Sequence, residues 1–144
     1  MGENAFTSAQ QEGLYRAIYE RRDVRSQFLP TPVPDEVLAR LLHAAHHAPS
    51  VGFMQPWDFV LIRDRAVRGQ VKALSDEANQ SAARRFAEEG DARASLYPRL
   101  KLEGILESPL NLCITCDRRR GGPTVLGRTS ILEMDLFSAC LAVQ

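Results

Sequence analysis

The stretch Arg21-Arg22-Asp23-Val24-Arg25 places three guanidinium groups and one carboxylate within five consecutive residues. Arginine offers planar, permanently charged donors whose fork matches the oxygens of a phosphate. The stretch follows an amphipathic segment and precedes Phe28-Leu29-Pro30, so we place it at a helix exit rather than on a solvated helix face. By itself, a run this short is more often a surface ion-pair cluster than a ligand site.

A second stretch, Ala48-Pro49-Ser50-Val51-Gly52-Phe53-Met54-Gln55-Pro56-Trp57, shifts the interpretation toward a binding site. Its prolines and glycine predict a loop, and Gly52 would allow the main chain to approach a ligand closely. Phe53 and Met54 would narrow such a pocket and exclude water from it. Ordinary core packing is the alternative role for these apolar residues, and it is the one we favour for Trp57.

The composition is that of a globular domain, and we treat residues 1–144 as one. Hydrophobic residues make up 44% of the chain and charged residues 25%, and the 18 basic side chains balance the 18 acidic ones. This balance points to neither a nucleic acid nor a membrane as partner. The odd cysteine count argues against a disulfide framework and fits a cytoplasmic location. Met1 to Gln10 show no secretion signal, and no apolar run approaches the roughly 20 residues of a membrane span.

The first half of the chain predicts two helices and a strand. Ser8 and Gln11 have the spacing of a capping box, which would open a helix that runs to about Arg21. Three prolines make residues 26–34 extended. A second helix begins near Pro34 and ends before Pro49, and residues 57–63 form a strand. The second helix carries an apolar stripe at Val37, Leu38, Leu41, Leu42 and Ala45.

The second half predicts a long helix over residues 66–89, with Gly90 as its C-terminal cap. A loop and a short helix follow over residues 91–109, and then a strand over residues 110–115. A polar loop covers residues 118–127, and a helical pattern resumes at Glu133 and is still running at Gln144. The apolar positions of the long helix are Val67, Val71, Leu74, Ala78 and Phe86.

Only two convincing strands are present in this reading. A two-stranded sheet is marginal by itself. We therefore expect the chain to be the N-terminal part of a larger domain, or to need a partner that completes its sheet.

Together, the two opening stretches resemble the flavin-binding nitroreductase superfamily. Its members carry an Arg-Arg-Ser-Val-Arg-like run after a first helix and an Ala-Pro-Ser-x-x-Asn-x-Gln-Pro-Trp loop before a strand. The details are similar to one branch, the 5,6-dimethylbenzimidazole synthases, which has Asp where nitroreductases usually have Ser. The resemblance covers nearly the whole chain beyond residue 13. Further segments that match this branch are residues 52–57, 101–105, 113–118 and 126–129.

The resemblance implies an α+β, nitroreductase-like fold, with a central mixed sheet flanked by helices and a C-terminal part that this chain lacks. It also implies an intimate homodimer that shares its FMN sites. Asp23 would be the catalytic residue, acting beside the reactive ring, where a carboxylate can accept or return protons. A plain ion pair with its arginine neighbours is the alternative for Asp23. The implied flavin-binding residues are Arg21, Arg22, Asp23, Val24, Arg25, His46, Ser50, Gly52 and Leu100.

The activity implied by the resemblance is oxygen-dependent cleavage of reduced FMN to 5,6-dimethylbenzimidazole, the lower ligand of vitamin B12, and erythrose 4-phosphate. FMN is then a substrate, O2 a co-substrate, and a separate flavin reductase supplies the reduced form. Two alternatives stay open. One is an NAD(P)H-dependent nitroreductase, although the chain lacks the loop Asn that helps to seat nicotinamide in that class. The other is a flavin-binding remnant without turnover.

A zinc site is a competing interpretation of Cys113, Cys116 and the histidines at 43, 46 and 47. We disfavour it, and expect no metal, because the two cysteines lie on a predicted strand, where thiols three residues apart face opposite sides. A thioredoxin-like redox pair is disfavoured too, since it requires a helix N-terminus.

Overall fold

The computed structural model describes residues 5–90, 95–96, 99–100 and 103–144. The predicted loop and short helix at 91–109, with the matching segment at 101–105, therefore lie partly outside the described residues. The elements of the described part, in chain order, are α1 (Ser8–Glu20), α2 (Asp35–His46), β1 (Trp57–Ile62), α3 (Arg65–Glu88), β2 (Asn111–Cys116) and α4 (Met134–Val143).

Helix α1 begins one residue earlier than the capping box at Ser8 predicted. Thr7 is the N-cap, and its hydroxyl accepts a hydrogen bond from the main-chain N–H of Gln10, whose side chain in turn accepts from the N–H of Thr7. The prediction placed the correct motif one residue too late because both hydroxyl residues can cap a helix. The helix ends at Glu20, and all of its residues are exposed.

Helix α2 leads into the loop that the sequence singled out. Its first turn carries Asp35 and Glu36, whose charges suit the positive end of the helix dipole. Leu38 is buried, whereas Leu41 of the same predicted apolar stripe is 59% exposed. The helix ends at His46, and a short 3-10 turn over Val51–Phe53 follows before the first strand.

The two predicted strands form one antiparallel pair. Trp57 lies opposite Cys116, and Ile62 lies opposite Asn111. In the described residues the sheet therefore has two antiparallel strands, and the mixed sheet expected from the resemblance would need further strands. The pairing brings the loop before β1 close to the turn after β2, since the start of one strand lies beside the end of the other.

Helix α3 has the predicted length, but its predicted apolar stripe is wrong as a guide to burial. Val67, Val71 and Leu74 are exposed, and the buried residue of this helix is Arg68. Its guanidinium group donates to the main-chain carbonyls of Ile105 and Ser108. A long cationic side chain thus covers the 105–108 segment, a role that apolar periodicity does not reveal.

The core of the described residues is small and lies between α2, α4 and the sheet. Its buried apolar side chains are Leu38, Met54, Trp57, Val125, Ala139 and Ala142. Many large apolar side chains remain at the surface, including Leu126 and Phe137. Among the described helices, none combines the length and apolar character that crossing a membrane requires.

Candidate functional site

The arginine run forms an exposed cationic cluster immediately after α1. The carboxylate of Asp23 pairs with two guanidinium groups, at 3.4 Å from Arg21 and 3.3 Å from Arg25. Arg22 instead donates to the main-chain carbonyls of Tyr19 and Arg21 at the end of the helix. Two arginines thus pair with one carboxylate and a third arginine has other partners, so the cluster keeps a net positive charge and presents its donors to solvent.

The loop after α2 has an unusual main chain. Gly52, Phe53 and Gln55 all have left-handed φ angles, at 51°, 53° and 45°. For the two residues that carry a Cβ, this conformation is uncommon and costs free energy, so the surrounding contacts must hold it in place. Phe53 is 82% exposed, whereas Met54 and Pro56 on either side of Gln55 are buried.

Two hydroxyl groups brace this loop from inside. Ser50 Oγ accepts the main-chain N–H of Gln55 at 2.9 Å, which closes the loop on itself. Ser138 Oγ, on α4, accepts the N–H of Val51 at 3.0 Å and donates to the carbonyl of Met134. The hydroxyl oxygen of Ser50, a predicted site residue, thus stabilises the conformation of the loop itself.

His46 lies at the point where α2 enters the loop. The indole Nε1–H of Trp57 donates to His46 Nδ1 at 3.2 Å, and the two rings meet edge to face. Because Nδ1 accepts this bond, the neutral imidazole carries its proton on Nε2. Trp57 is almost fully buried, so the predicted core role is confirmed, and it also fixes the ring of a predicted site residue.

Gly52 is required by the fold at its own position. A Cβ there would lie 2.6 Å from Val125 Cγ1 and 3.0 Å from the main-chain oxygen of Leu126. The close approach that this glycine allows is therefore to the 125–126 segment of the same chain. Its predicted contact with flavin stays a prediction.

The turn after β2 holds the loop from outside. The N–H of Asp117 donates to the carbonyl of Pro56 at 2.7 Å. The guanidinium group of Arg120 donates to the carbonyls of Gln55 and Trp57 at 2.8 and 2.7 Å, and its other terminal nitrogen pairs with both oxygens of Asp58 at 2.7 Å.

Below this turn, Asp135 at the start of α4 is buried, with 1% exposure. Burial raises the pKa of its carboxyl, but hydrogen bonds from Arg118 and from the N–H of Leu136, with the charges of Arg118 and Arg128, outweigh burial and lower the pKa overall. Arg118 donates to this carboxylate at 3.0 Å and to the carbonyl of Leu132. The pair ties the 118–128 segment, which contacts Gly52, to α4.

The predicted site residues fall into two groups. Asp23 and its four neighbours form the cationic cluster, while His46, Ser50 and Gly52 belong to the braced loop. Among the hydrogen bonds of the described residues, none joins the cluster to the loop. Leu100 is 54% exposed and belongs to neither group. A groove of about 500 Å³ beside the loop is lined by Ala48, Pro49 and apolar residues of α2, β2 and α4, and by none of the predicted site residues.

The zinc interpretation finds no support in the described part of the chain, which contains no group of three possible metal ligands. His43 and His47 do lie together, with ring centroids 4.4 Å apart. Cys113 is exposed on β2, and burial is the main cause that raises the pKa of the Cys116 thiol. A raised pKa is the opposite of what a redox-active thiol requires.

Arg120, Asp58 and Ser138 shape the loop, although none of them was predicted from the sequence as a site residue. One feature of the sequence does indicate this role. Asp58 interrupts the otherwise apolar run of β1, and a carboxylate within such a strand indicates that a cationic side chain pairs with it. The arginines that follow β2 could have supplied it.

Comparison with known proteins places this geometry in context. The sequence matches the nitroreductase family over residues 18–144. A curated relative, the 5,6-dimethylbenzimidazole synthase of Rhodospirillum rubrum, is 39% identical over 138 residues, which is 96% of this chain and 64% of that protein. The chain thus spans less than two thirds of the length of this relative.

Two solved structures share the fold. A BluB-like flavoprotein from Clostridium difficile superposes with a TM-score of 0.65 at 19% identity, covering 90% of this chain and 65% of that one. Iodotyrosine deiodinase bound to FMN and 3-iodo-L-tyrosine superposes with a TM-score of 0.59 at 23% identity, over 90% of this chain and 68% of that one. The nitroreductase-like fold predicted from the sequence is confirmed.

Proposed function

Because the chain belongs to the nitroreductase family, we propose that it binds FMN and takes part in the oxygen-dependent fragmentation of reduced FMN to 5,6-dimethylbenzimidazole and erythrose 4-phosphate. One observation carries the proposal: the carboxylate of Asp23 is held between Arg21 and Arg25 in an exposed cationic cluster. The curated relative that bears the name of this synthase supports it along almost the whole chain.

The donor set of the cluster fits the phosphate of FMN. A phosphate dianion prefers charge-assisted, forked donors, and Arg21, Arg22 and Arg25 supply three of them within five residues. Their present partners are one shared carboxylate and main-chain carbonyls, so a phosphate could replace weak contacts without breaking a buried pair. The cluster is also solvent-facing, as an entry site for a charged ligand should be.

Asp23 is the residue to which the proposal assigns proton transfer. A carboxylate beside a phosphate-binding cluster adds negative charge where the ligand is already anionic, so it is a poor choice for binding alone. Its two oxygens lie 3.4 Å from Arg21 and 3.3 Å from Arg25 on the exposed side of the cluster, where a carboxylate can accept a proton from a bound substrate. When bound, reduced FMN supplies the electrons that react with O2, and Asp23 moves the proton.

The braced loop is proposed to hold the flavin ring. Main-chain groups of the loop would bond the ring edges, and the Nε2–H of His46, the nitrogen left free by Trp57, is available as a donor. Phe53 projects from the loop and would shield a ring from water. Val24 and Leu100 complete the proposed set as exposed apolar contacts.

We further propose a homodimer with shared flavin sites, supported by the exposed apolar residues of α1 and α4. A flavin reductase would deliver reduced FMN, O2 would be the co-substrate, and no metal would be needed. The unpaired cysteines suit a cytoplasmic location. The alternative, an NAD(P)H-dependent nitroreductase, shares the family and the flavin.

Anaerobic mixing of the FMN-loaded chain with NADPH separates the two activities. The proposal predicts that the yellow colour of oxidised flavin persists, because the loop lacks the Asn that seats nicotinamide in nitroreductases. Rapid bleaching would favour the alternative. Gel filtration of the same sample tests the proposed dimer, since a monomer with a fully occupied flavin site would contradict a shared site.

A further inference from the structure

The turn after β2 forms hydrogen bonds with the main chain on both sides of Pro56. Arg120 donates to the carbonyl before this proline, that of Gln55, and to the one after it, that of Trp57. The other terminal nitrogen of the same guanidinium group, Nη2, lies 2.7 Å from each oxygen of the Asp58 carboxylate. Because the two terminal nitrogens have partners on different groups, the guanidinium group is held at both of them.

The gripped segment needs external support. Phe53 and Gln55 are non-glycine residues with φ angles of 53° and 45°, a conformation that is uncommon for residues with a Cβ and persists only where surrounding contacts hold it. Ser138 Oγ accepts the N–H of Val51, and Ser50 Oγ accepts the N–H of Gln55. The carbonyl of Gln55 is held by Arg120.

Arg120 is well suited to this task. Its position in the turn is fixed, since its own N–H donates to the carbonyl of Asp117, while Asp117 bonds the carbonyl of Pro56. Its neighbour Arg119 differs sharply: the side chain is 97% exposed and approaches Asp117 no closer than 3.9 Å. Of these two adjacent arginines, Arg120 bonds the main chain of the loop and Arg119 does not. Substitution of Arg119 is therefore a matched control for substitution of Arg120.

We propose that the Asp58–Arg120 pair is a positioning device that holds residues 50–57 in the conformation that binds flavin. This inference rests on the proposed function, because it assigns the loop to the flavin. Arg120 would act without touching the ligand, by setting where the main-chain donors of the loop lie. Asp58 would act one step further away, by orienting the guanidinium group.

The test compares Arg120→Gln, Asp58→Asn and the control Arg119→Gln in the purified chain. Hydrogen exchange without flavin reports the loop directly, and titration with FMN reports its use. In Arg120→Gln we expect at least tenfold faster exchange at the amides of Phe53, Met54 and Gln55, and about tenfold weaker FMN binding. Asp58→Asn should show a smaller change in both, because Arg120 keeps its carbonyl partners. Arg119→Gln should match the wild type.

Amide hydrogen exchange in the middle of α3 is the control for general unfolding. It should stay unchanged in all three variants. Unchanged exchange in the loop of Arg120→Gln would overturn the proposed grip. Faster loop exchange with unchanged FMN affinity would overturn its role in positioning for flavin. If the wild-type chain bound no FMN, the proposed function would fail, while the exchange data would still decide whether Arg120 holds the loop.

Discussion

The ring of Phe28 occupies the space that a side chain on Gly104 would need. A Cβ at Gly104 would lie 2.2 Å from Phe28 Cε2, far inside van der Waals contact. Phe28 follows the cationic cluster by three residues, and Gly104 follows Leu100 by four. The contact therefore packs Phe28, which closely follows the cluster, against the described segment that begins at residue 103.

Replacing Gly104 by Ala should displace this ring. We expect a loss of about 1–3 kcal/mol in the free energy of unfolding, the usual cost of an overpacked contact, together with weaker FMN binding. Gly13→Ala is the matched control, because nothing lies within 4 Å of its added Cβ and it lies inside α1. That control should stabilise the chain by up to about 1 kcal/mol. Chemical denaturation measures the free energy of unfolding of both variants. Equal changes in Gly104→Ala and Gly13→Ala would refute the contact.

Arg25→Ala tests the cluster as a phosphate site. Losing one charge-assisted contact should weaken FMN binding by about 1–3 kcal/mol, roughly 5- to 150-fold in Kd. Arg16→Ala removes a similar exposed arginine that pairs with Glu20 on α1, and it should leave the affinity unchanged. Fluorescence titration with FMN gives both values. An unchanged Kd for Arg25→Ala would return this residue to a surface ion-pair role.

Asp135 makes the stability of the chain depend on pH. Its pKa is lowered in the folded chain by Arg118 and Leu136 against the opposing effect of burial, whereas the unfolded chain binds this proton near pH 4. The stabilisation is therefore complete above about pH 4 and is lost as pH falls through the lowered pKa. Asp135→Asn should lower the free energy of unfolding by about 1–3 kcal/mol at pH 7. It should also reduce the loss of stability at acidic pH.

Asp35→Asn is the control for that experiment. Asp35 also pairs with an arginine, Arg63 at 3.2 Å, but its side chain is 95% exposed. Exposed pairs and helix-dipole contacts contribute little, so this variant should lose less than about 1 kcal/mol and should keep the fall in stability at acidic pH. If the stability of Asp135→Asn still fell at acidic pH as it does in the wild type, the pH dependence would belong to other carboxylates.

The secondary structure was largely predictable because local signals determine it. Apolar runs bounded by turn residues placed β1 and β2 within one residue of their ends, and the pattern after Glu133 located α4. Gly90 does cap the end of α3 with a left-handed φ of 67°, as predicted. The start of α1 shifted by one residue because Thr7 and Ser8 compete for the same role.

The contacts that shape the site could not be predicted in the same way, because they join residues far apart in the chain. Arg120 and Asp58 are separated by 62 residues, and Ser138 and Val51 by 87. The motif around Ser50 identified the loop, but its left-handed main chain and its supports depend on the fold. The burial of Arg68 in place of the apolar stripe of α3 has the same origin.

Asp23→Asn separates catalysis from binding. The amide keeps the size and hydrogen-bonding reach of the carboxylate but cannot accept the proton. We predict that this variant binds reduced FMN and consumes oxygen, yet returns oxidised FMN and peroxide instead of dimethylbenzimidazole. Chromatography of the products after aerobic mixing provides the measurement. A wild-type yield would leave Asp23 as an ion-pair partner of Arg21 and Arg25.

The most direct test of the proposed function uses the unaltered chain. Reduced FMN, prepared chemically, is mixed with the purified protein in air, and 5,6-dimethylbenzimidazole and erythrose 4-phosphate are quantified by mass spectrometry. We predict that both products appear in equal amounts and that neither forms without oxygen. Full recovery of the flavin as intact oxidised FMN, with neither product detected, would contradict it.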